Sequence, residues 1–409
     1  MDIQNELFAQ ALGIADPIYI DSITFENNEL HIHLNFHRGS EFLCPVCETS
    51  QCKAYDTYDK TWRHLNFFQY KCFLHFPTPR TDCKDCGIHQ FIPPWTRPGS
   101  GFTLLFEALV ITLIKGGMPF LELERVMGEY DNRLRRIVDH YVEKAYRNKD
   151  FSSVAQIGID ETSSKKGHKY VTVFTDLDEK EIIFVTEGKD SSTIAKFAKE
   201  LPLHGGDVEN ITNITMDMST SFIKGAKEHI PEAEVTFDKF HVVKLLNEAV
   251  DKVRREESKQ NPILKGTRYL WLKNPNNLTK NQLEQLQSLE NENLDSAKAY
   301  QLKLTFQDIY NRSGNADNAK LLIDSWLEMA DESGLKPIQG FCTTVRNHYD
   351  GIMKYFTSKI TSGICEGLNS IIGEVKRVAR GYRNMRNFIN MIYLRKCKLE
   401  LPRFPLPVR

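Results

Sequence analysis

Residues 154–187 read VAQIGIDETSSKKGHKYVTVFTDLDEKEIIFVTE, three runs rich in β-branched and aromatic residues separated by polar breaks. Such runs are expected as a meander of strands, AQIGID, HKYVTVFTDLD and EIIFVTEG. Downstream the texture alternates: SSTIAKFAKEL reads as a helix, NITNITMD as a strand, TSFIKGAKEHI as a helix and AEVTFD as a strand. A meander followed by alternating helix and strand is an α/β pattern, in which polar side chains at strand ends collect around one crevice.

Two acids stand where that crevice is expected. Asp160 closes the run IGID and Asp217 closes ITMD. If their strands are neighbours, the two carboxylates can bridge one cation. Magnesium, which keeps several waters and takes phosphate oxygens, needs only two or three acids. Glu366, in TSGICEGLNSIIGEVKR, is the best third acid, near the start of a helix that continues through Ile371, Ile372, Val375 and Val378. Each acid also has a plainer reading, because Asp is common in turns and Glu is favoured near a helix N-terminus. Glu161 and Glu374 are rivals, Asp176 and Asp178 read as turn residues, and Asp190 reads as a helix cap. Asp238 and His241, in FDKFHVVK, lie at a further strand end, where an imidazole could orient a phosphate, move a proton, or be a satisfied buried histidine.

A chain of 409 residues is too long for one ordinary core, so two to four domains are expected. After Phe240 the pattern is helical, with Val242, Leu245, Leu246, Ala249 and Val253 in one stripe. Asn274-Pro275 breaks it, Thr279 with Gln282 forms a capping box, and Asp251 to Val345 reads as a helical insertion. Upstream, Phe102 to Tyr146 reads as three short helices broken at Glu129 to Asp131. This suits a helix-turn-helix or a plain helical linker bundle equally. Residues 18–37 alternate, with Leu30, Ile32, Leu34 and Phe36 on one side and His31, His33 and His37 on the other. Two strands joined near Asn27-Asn28 follow, the histidines forming the wet face of a sheet and left unassigned as ligands.

Cys44-Pro-Val-Cys47 and Cys83-Lys-Asp-Cys86 each place two thiolates one tight turn apart, the spacing of a tetrahedral zinc site. The intervening NFFQYKCFLHF reads as strand, so a β-hairpin can bring the two pairs together. Four thiolates leave no open position, which makes the zinc structural rather than catalytic. Cys52 and Cys72 lack this spacing and read as ordinary thiols. The longest apolar run, Phe102 to Ile114, is interrupted by Glu107 and falls short of the roughly 20 residues of a membrane span. MDIQNELFAQ does not resemble a secretory signal, so a cytoplasmic location is expected. A net charge of −1 does not itself point to a polyanion. From Gly373 onward, however, Lys376, Arg377, Arg380, Arg383, Arg386, Arg395, Lys396, Lys398, Arg403 and Arg409 face only Glu374 and Glu400, a basic tail suited to phosphates.

Taken together, the two CxxC pairs, GIDETSSKKGHKYVTVFTDLD, TMDMS, FDKFH, LKGTRYLWLKNPNNLT and SGICEGLN with the following KRVARGYRN make the chain resemble transposases of the ISL-three family of bacterial insertion sequences over nearly its whole length. The resemblance implies a DDE triad on a ribonuclease-H-like fold, whose element order the α/β pattern matches. The family's two Asp and one Glu fall on Asp160, Asp217 and Glu366, and Asp238 with His241 match an Asp-x-x-His signature near the second acid. The front end resembles the family's zinc-binding domain followed by a helix-turn-helix. The expected division is a zinc ribbon over 1–100, helix-turn-helix-like helices over 101–150, catalytic core over 151–250, helical insertion over 251–345, and the rest of the core with the basic tail over 346–409.

The implied chemistry is phosphoryl transfer by two magnesium or manganese ions about 3.5 to 4 Å apart, first to water and then to the freed 3′-hydroxyl, with no covalent enzyme intermediate. DNA is the implied partner, as terminal inverted repeats and target, with a homodimer pairing two ends. Lys252, Arg254, Arg255, Lys376, Arg377, Arg380 and Arg383 are the candidate phosphate contacts. The alternatives are a zinc-ribbon DNA-binding regulator that has lost catalysis, and a nuclease that cleaves without joining.

Overall fold

A computed structural model describes residues 3–165, 169–292, 294–358 and 363–404. Two compact units emerge, one comprising the chain up to Tyr146 with the segment from Leu399, the other running from Arg147 to Lys398.

The first unit is built on a six-stranded sheet of β1 (Ile18–Glu26), β2 (Glu29–Phe36), β3 (Glu41–Leu43), β4 (Gln51–Phe67), β5 (Tyr70–Cys83) and β6 (Gly87–Gln90), in the order β1-β2-β5-β4-β3 with β6 on β5. Asn27 and Asn28 both take positive φ, the conformation of the tight turn that closes β1 on β2. Strand periodicity then sends Leu30, Ile32 and Leu34 inward with Ile18, Ile20, Trp62, Leu74, Phe76 and Trp95. His31 and His33 lie on the opposite face, where His75 of β5 stacks on His33 and its Nε2 lies 2.9 Å from His31 Nδ1.

Three helices follow, Leu104–Lys115, Phe120–Met127 and Asp131–Arg147, the second ended by Gly128 in the left-handed conformation. They are keyed to the sheet by Arg63, a β4 residue only 1% exposed. Its guanidinium lies 3.5 Å from buried Glu129 and donates to the carbonyls of Cys72 and Met127. The polar break at Glu129 is thus an internal ion pair.

The second unit has a five-stranded sheet of β7 (Gln156–Lys165), β8 (Lys169–Asp176), β9 (Glu181–Glu187), β10 (Asn213–Met216) and β11 (Glu234–Phe237), ordered β11-β10-β7-β8-β9. The meander β7-β8-β9 is antiparallel, while β10 runs parallel to both β7 and β11, which is the ribonuclease-H-like arrangement. Helices Ser191–Glu200 and Thr220–His229 meet at Gly225, where any larger residue would strike Ile194.

From Lys239 the helical insertion buries Trp271, Tyr300, Phe306, Trp326 and Phe341. Lys303, fully buried, donates to the carbonyls of Trp271, Leu272 and Lys273 at the C-terminal end of the short helix Arg268–Leu272. The capping box at Thr279 and Gln282 forms as expected.

Three expectations need correction. Helix Lys239–Glu257 runs unbroken through the boundary placed at 250/251, because its apolar stripe is continuous. The basic segment from Gly373 is largely helical, the end of Gly363–Val378 and then Met385–Lys396, whose Tyr393 hydroxyl accepts from Val185 N of β9. The segment from Leu399 clusters with the first unit, where Phe404 N donates to Thr112 Oγ1. Arg409 lies outside the described residues. No helix among the described residues is long and apolar enough to cross a membrane.

Candidate active site

Sheet register places the acids. Thr215 of β10 pairs with Gly158 of β7, and Met216 pairs with Phe237 of β11. Two residues past Gly158 stands Asp160, two past Thr215 stands Asp217, and one past Phe237 stands Asp238. Three carboxylates therefore occupy one level across three adjacent strands. Asp160 is not at a strand end as expected: β7 continues to Lys165, because its second half still pairs with β8 after β10 has stopped. The crevice opens where the parallel neighbour ends.

Helix Gly363–Val378 lies over this level. It can come close because position 158 is glycine: a Cβ there would collide with Cys365 Sγ. Seated this way, the helix carries Glu366 in its first turn and Asn369 one turn on. Asn369 Nδ2 donates to Asp160 Oδ2, and Asp160 Oδ1 accepts from Glu161 N. The other acids are anchored locally. Asp217 Oδ1 accepts from Ser219 N at 2.9 Å, and Asp238 Oδ1 caps helix Lys239–Glu257 through Phe240 N at 3.0 Å. His241 Nε2 faces Asp238 Oδ2 at 3.7 Å.

The electrostatics are those of crowded anions. Burial pushes Asp160 above the usual carboxylate range, Asp217 and Asp238 add to this, and His241 opposes it. Burial also raises Glu366, with Asp238 contributing, and raises Glu161, with Asp217 and Asp160 contributing against Lys189. Such a set of hard oxygen donors suits a divalent cation. The four cysteines are nonetheless the one group among the described residues whose ligand atoms all lie within 4.8 Å of one another, so the acids are more widely spread.

At the cysteine centre, Cys44 follows β3 and Cys83 ends β5, and long pairing of β4 with β5 brings both turns to one end of the sheet. Glu48 and Gly87, each directly after the second cysteine of its pair, take positive φ, which closes both knuckles in the same way. Hydrogen bonds from Thr49 pull Cys47 down to about 5, and the N–H groups of Asp85 and Cys86 lower Cys83, favouring thiolates. Burial drives Cys86 up to about 12. The set fits a tetrahedral zinc ion. Cys52, expected as an ordinary thiol, packs against the cluster.

Comparison with known proteins matches residues 157–392 to the model of the ISL3 DDE domain, described as "Transposase". The chain belongs to the ISL3 family of transposases. Residues 92–142 match the helix-turn-helix domain of transposase family ISL3, and residues 40–86, which hold all four cysteines, match the zinc-finger of transposase IS204/IS1001/IS1096/IS1165. The chain is 27% identical to the transposase for insertion sequence element IS1001 of Bordetella parapertussis, across 85% of this chain and 86% of that protein. It is 25% identical to the transposase for insertion sequence element IS1557 of Mycobacterium tuberculosis, across 82% and 81%. This ISL3 protein is a DNA transposase with a zinc ribbon, a helix-turn-helix and a DDE domain in that order.

Of the basic residues expected at phosphates, Arg254 is turned inward, 9% exposed, with Nε and Nη2 both donating to Asp251. Arg255 shares Asp251 at 3.3 Å yet keeps 60% of its side chain exposed. Lys252, Arg380 and Arg383 are exposed, whereas Lys376 Nζ donates to Ser163 O of β7. Sequence reasoning missed Gly158 and Asn369. The latter had a legible signal, one turn after Glu366 on the same helix face.

Proposed function

We propose that Asp160, Asp217 and Glu366 hold the divalent ions of the transposition reaction, magnesium or manganese, and that the chain cuts and joins the terminal inverted repeats of the insertion sequence that encodes it. The alignment of Asp160, Asp217 and Asp238 on one level, with the Glu366 helix tied to Asp160 through Asn369, carries this reading. Bound there, divalent ions would activate the attacking oxygen and neutralise the leaving one. Asn369 and Glu161 N hold the Asp160 carboxylate in orientation, as second-layer hydrogen bonds commonly do around a metal. Asp238, capping its helix, holds His241 toward the site, where the imidazole positions a phosphate or takes a proton from the attacking hydroxyl. Lys252, Arg255, Arg377, Arg380 and Arg383 contact backbone phosphates, and Asn132 and Arg136, exposed in the first turns of the third front helix, face the DNA groove. Two protomers pair two ends.

The test is a supercoiled plasmid carrying the element's own ends, incubated with magnesium or manganese. Wild type is expected to nick at the ends and join them to target, and Asp160→Ala, Asp217→Ala and Glu366→Ala to lose both by about 10³-fold or more, the equivalent of roughly 4 kcal/mol of barrier. Variants that still cut would remove the acid in question from the assignment. Cutting without joining would favour the nuclease.

A further inference from the structure

Two cavities flank Phe240. One, of 410 Å³, is walled by Asp238 and Glu366 and reaches Gln307, Asn311 and Tyr355 of the helical insertion. The other, of 400 Å³, runs along the same helix past Lys244, Lys252, Arg255 and Arg268. Phe240 and Val243 line both. Phe240 is 53% exposed, an aromatic ring standing beside the acid site where a polar residue would be cheaper to hydrate.

Three buried polar atoms of this region have no hydrogen-bond partner: Gln307 Oε1 in the first cavity, Asn247 Oδ1 in the second, and the hydroxyl of Tyr310, whose ring lies under Lys239. An unsatisfied buried group costs about 1–3 kcal/mol, so a site that keeps several together is arranged for a ligand that completes them. Charge decides the kind of ligand. Carboxylates of Asp238 and Glu366 on the first cavity's wall repel a phosphate, whereas the second cavity's rim has Arg255 and Arg268 side chains 60% and 56% exposed. The first cavity therefore suits a flat, neutral ligand with amide-like edges, and the second the phosphates of the strand attached to it.

We infer that the first cavity receives a nucleobase extruded from the DNA end beside the cut, stacked on Phe240 with its edge on Gln307 and Asn311. This rests on the reading of Asp160, Asp217 and Glu366 as the cutting site, and gives the helical insertion a role in substrate recognition. Stacking on an aromatic side chain offsets part of the unstacking cost, and removing such a ring weakens single-strand contacts about 5- to 150-fold.

The experiment uses end duplexes carrying 2-aminopurine at one nucleotide at a time around the cleavage position, bound by Asp160→Ala protein so that binding is read without cutting. A fluorescence rise at one or two adjacent positions is expected, and its loss when Phe240→Ala is added. In parallel, Phe240→Ala with Asp160 intact should cut a fully paired end 5- to 150-fold more slowly, with most of the rate restored by mismatching the extruded position and by Phe240→Tyr. Gln307→Leu should slow cutting less and make it depend on which base is extruded. No fluorescence rise at any position would overturn the inference. So would equal losses on paired and mismatched ends, which indicate a structural role only. If Asp160→Ala still cuts while the fluorescence rise persists, the acid assignment fails and the base pocket stands.

Discussion

The cysteine centre and the acid centre are built in opposite ways. Four sulfurs reach within 4.8 Å of one another because each pair sits on one tight knuckle and a single hairpin joins the pairs. The acids come from three strands and a helix, with Asn369 and Asp160 separated by 209 residues, and they stay further apart under mutual repulsion. Local geometry makes a site complete before anything binds, whereas a site assembled across a fold keeps charges apart until cations offset them. The first arrangement holds a structure together and the second waits for substrate.

Cys83→Ser is expected to break the comparison hardest. Structural zinc contributes apparent free energies of about 10–16 kcal/mol in small zinc modules, so this variant should lose its zinc and its end binding together. Asp160→Ala should keep the zinc content and melting behaviour of wild type. Zinc measured by atomic emission decides it: a full equivalent in Cys83→Ser would mean the four sulfurs are not the ligands.

Next in size is the ion pair that keys the front helices to their sheet. Glu129→Ala leaves the Arg63 charge buried without its partner and should destabilise the first unit by about 3–5 kcal/mol. Arg63→Met with Glu129→Leu should recover much of that loss. Chemical denaturation followed through Trp62 and Trp95 reports on this unit, and a single variant as stable as wild type would show the pair to be idle.

Much of both sites was legible because the signals are local. CxxC spacing states its own geometry, and the alternation of β7 to β9 states the meander and hence the ribonuclease-H-like order. The level of Asp160 was not legible, because it depends on where β10 stops pairing, and nothing in IGIDETSSK says which partner strand is shorter. The inward turn of Arg254 was hidden for a similar reason. Arg254 and Arg255 read alike along the chain, and only the helix face that packs inward separates them. The basic segment from Gly373 was read as a tail since charge marks solvent exposure well but says little about helix packing, which its Phe388 and Ile392 supply.

Gly158→Ala tests whether the acid centre depends on the seating of its helix. The added methyl meets Cys365, and overpacking of this kind costs about 1–3 kcal/mol. Cutting should fall with end binding unchanged, and Cys365→Ala on top of Gly158→Ala should restore part of it, because the sulfur that clashes is gone. Additive losses in the double variant would show that the two positions do not meet.

The smallest expected effect is a pH dependence confined to the front unit. Burial pulls His64 from its ordinary 6.5 down to about 4, with Arg63 adding to it, and pulls His75 down to about 4 beside His33 and His31. Both are neutral in the folded unit. A lowered folded value means that the unfolded chain takes up the proton first. The stability these rings contribute is therefore complete above pH 6.5 and is lost as pH falls through about 4. Hydrogen exchange measured between pH 7 and 4 should show protection declining in β4 and β5. His64→Gln, keeping a polar partner for Thr103 Oγ1, should flatten the decline in β4. An unchanged slope in that variant would mean that His64 is protonated in the fold, and with that the proposed source of acid sensitivity in β4 would go.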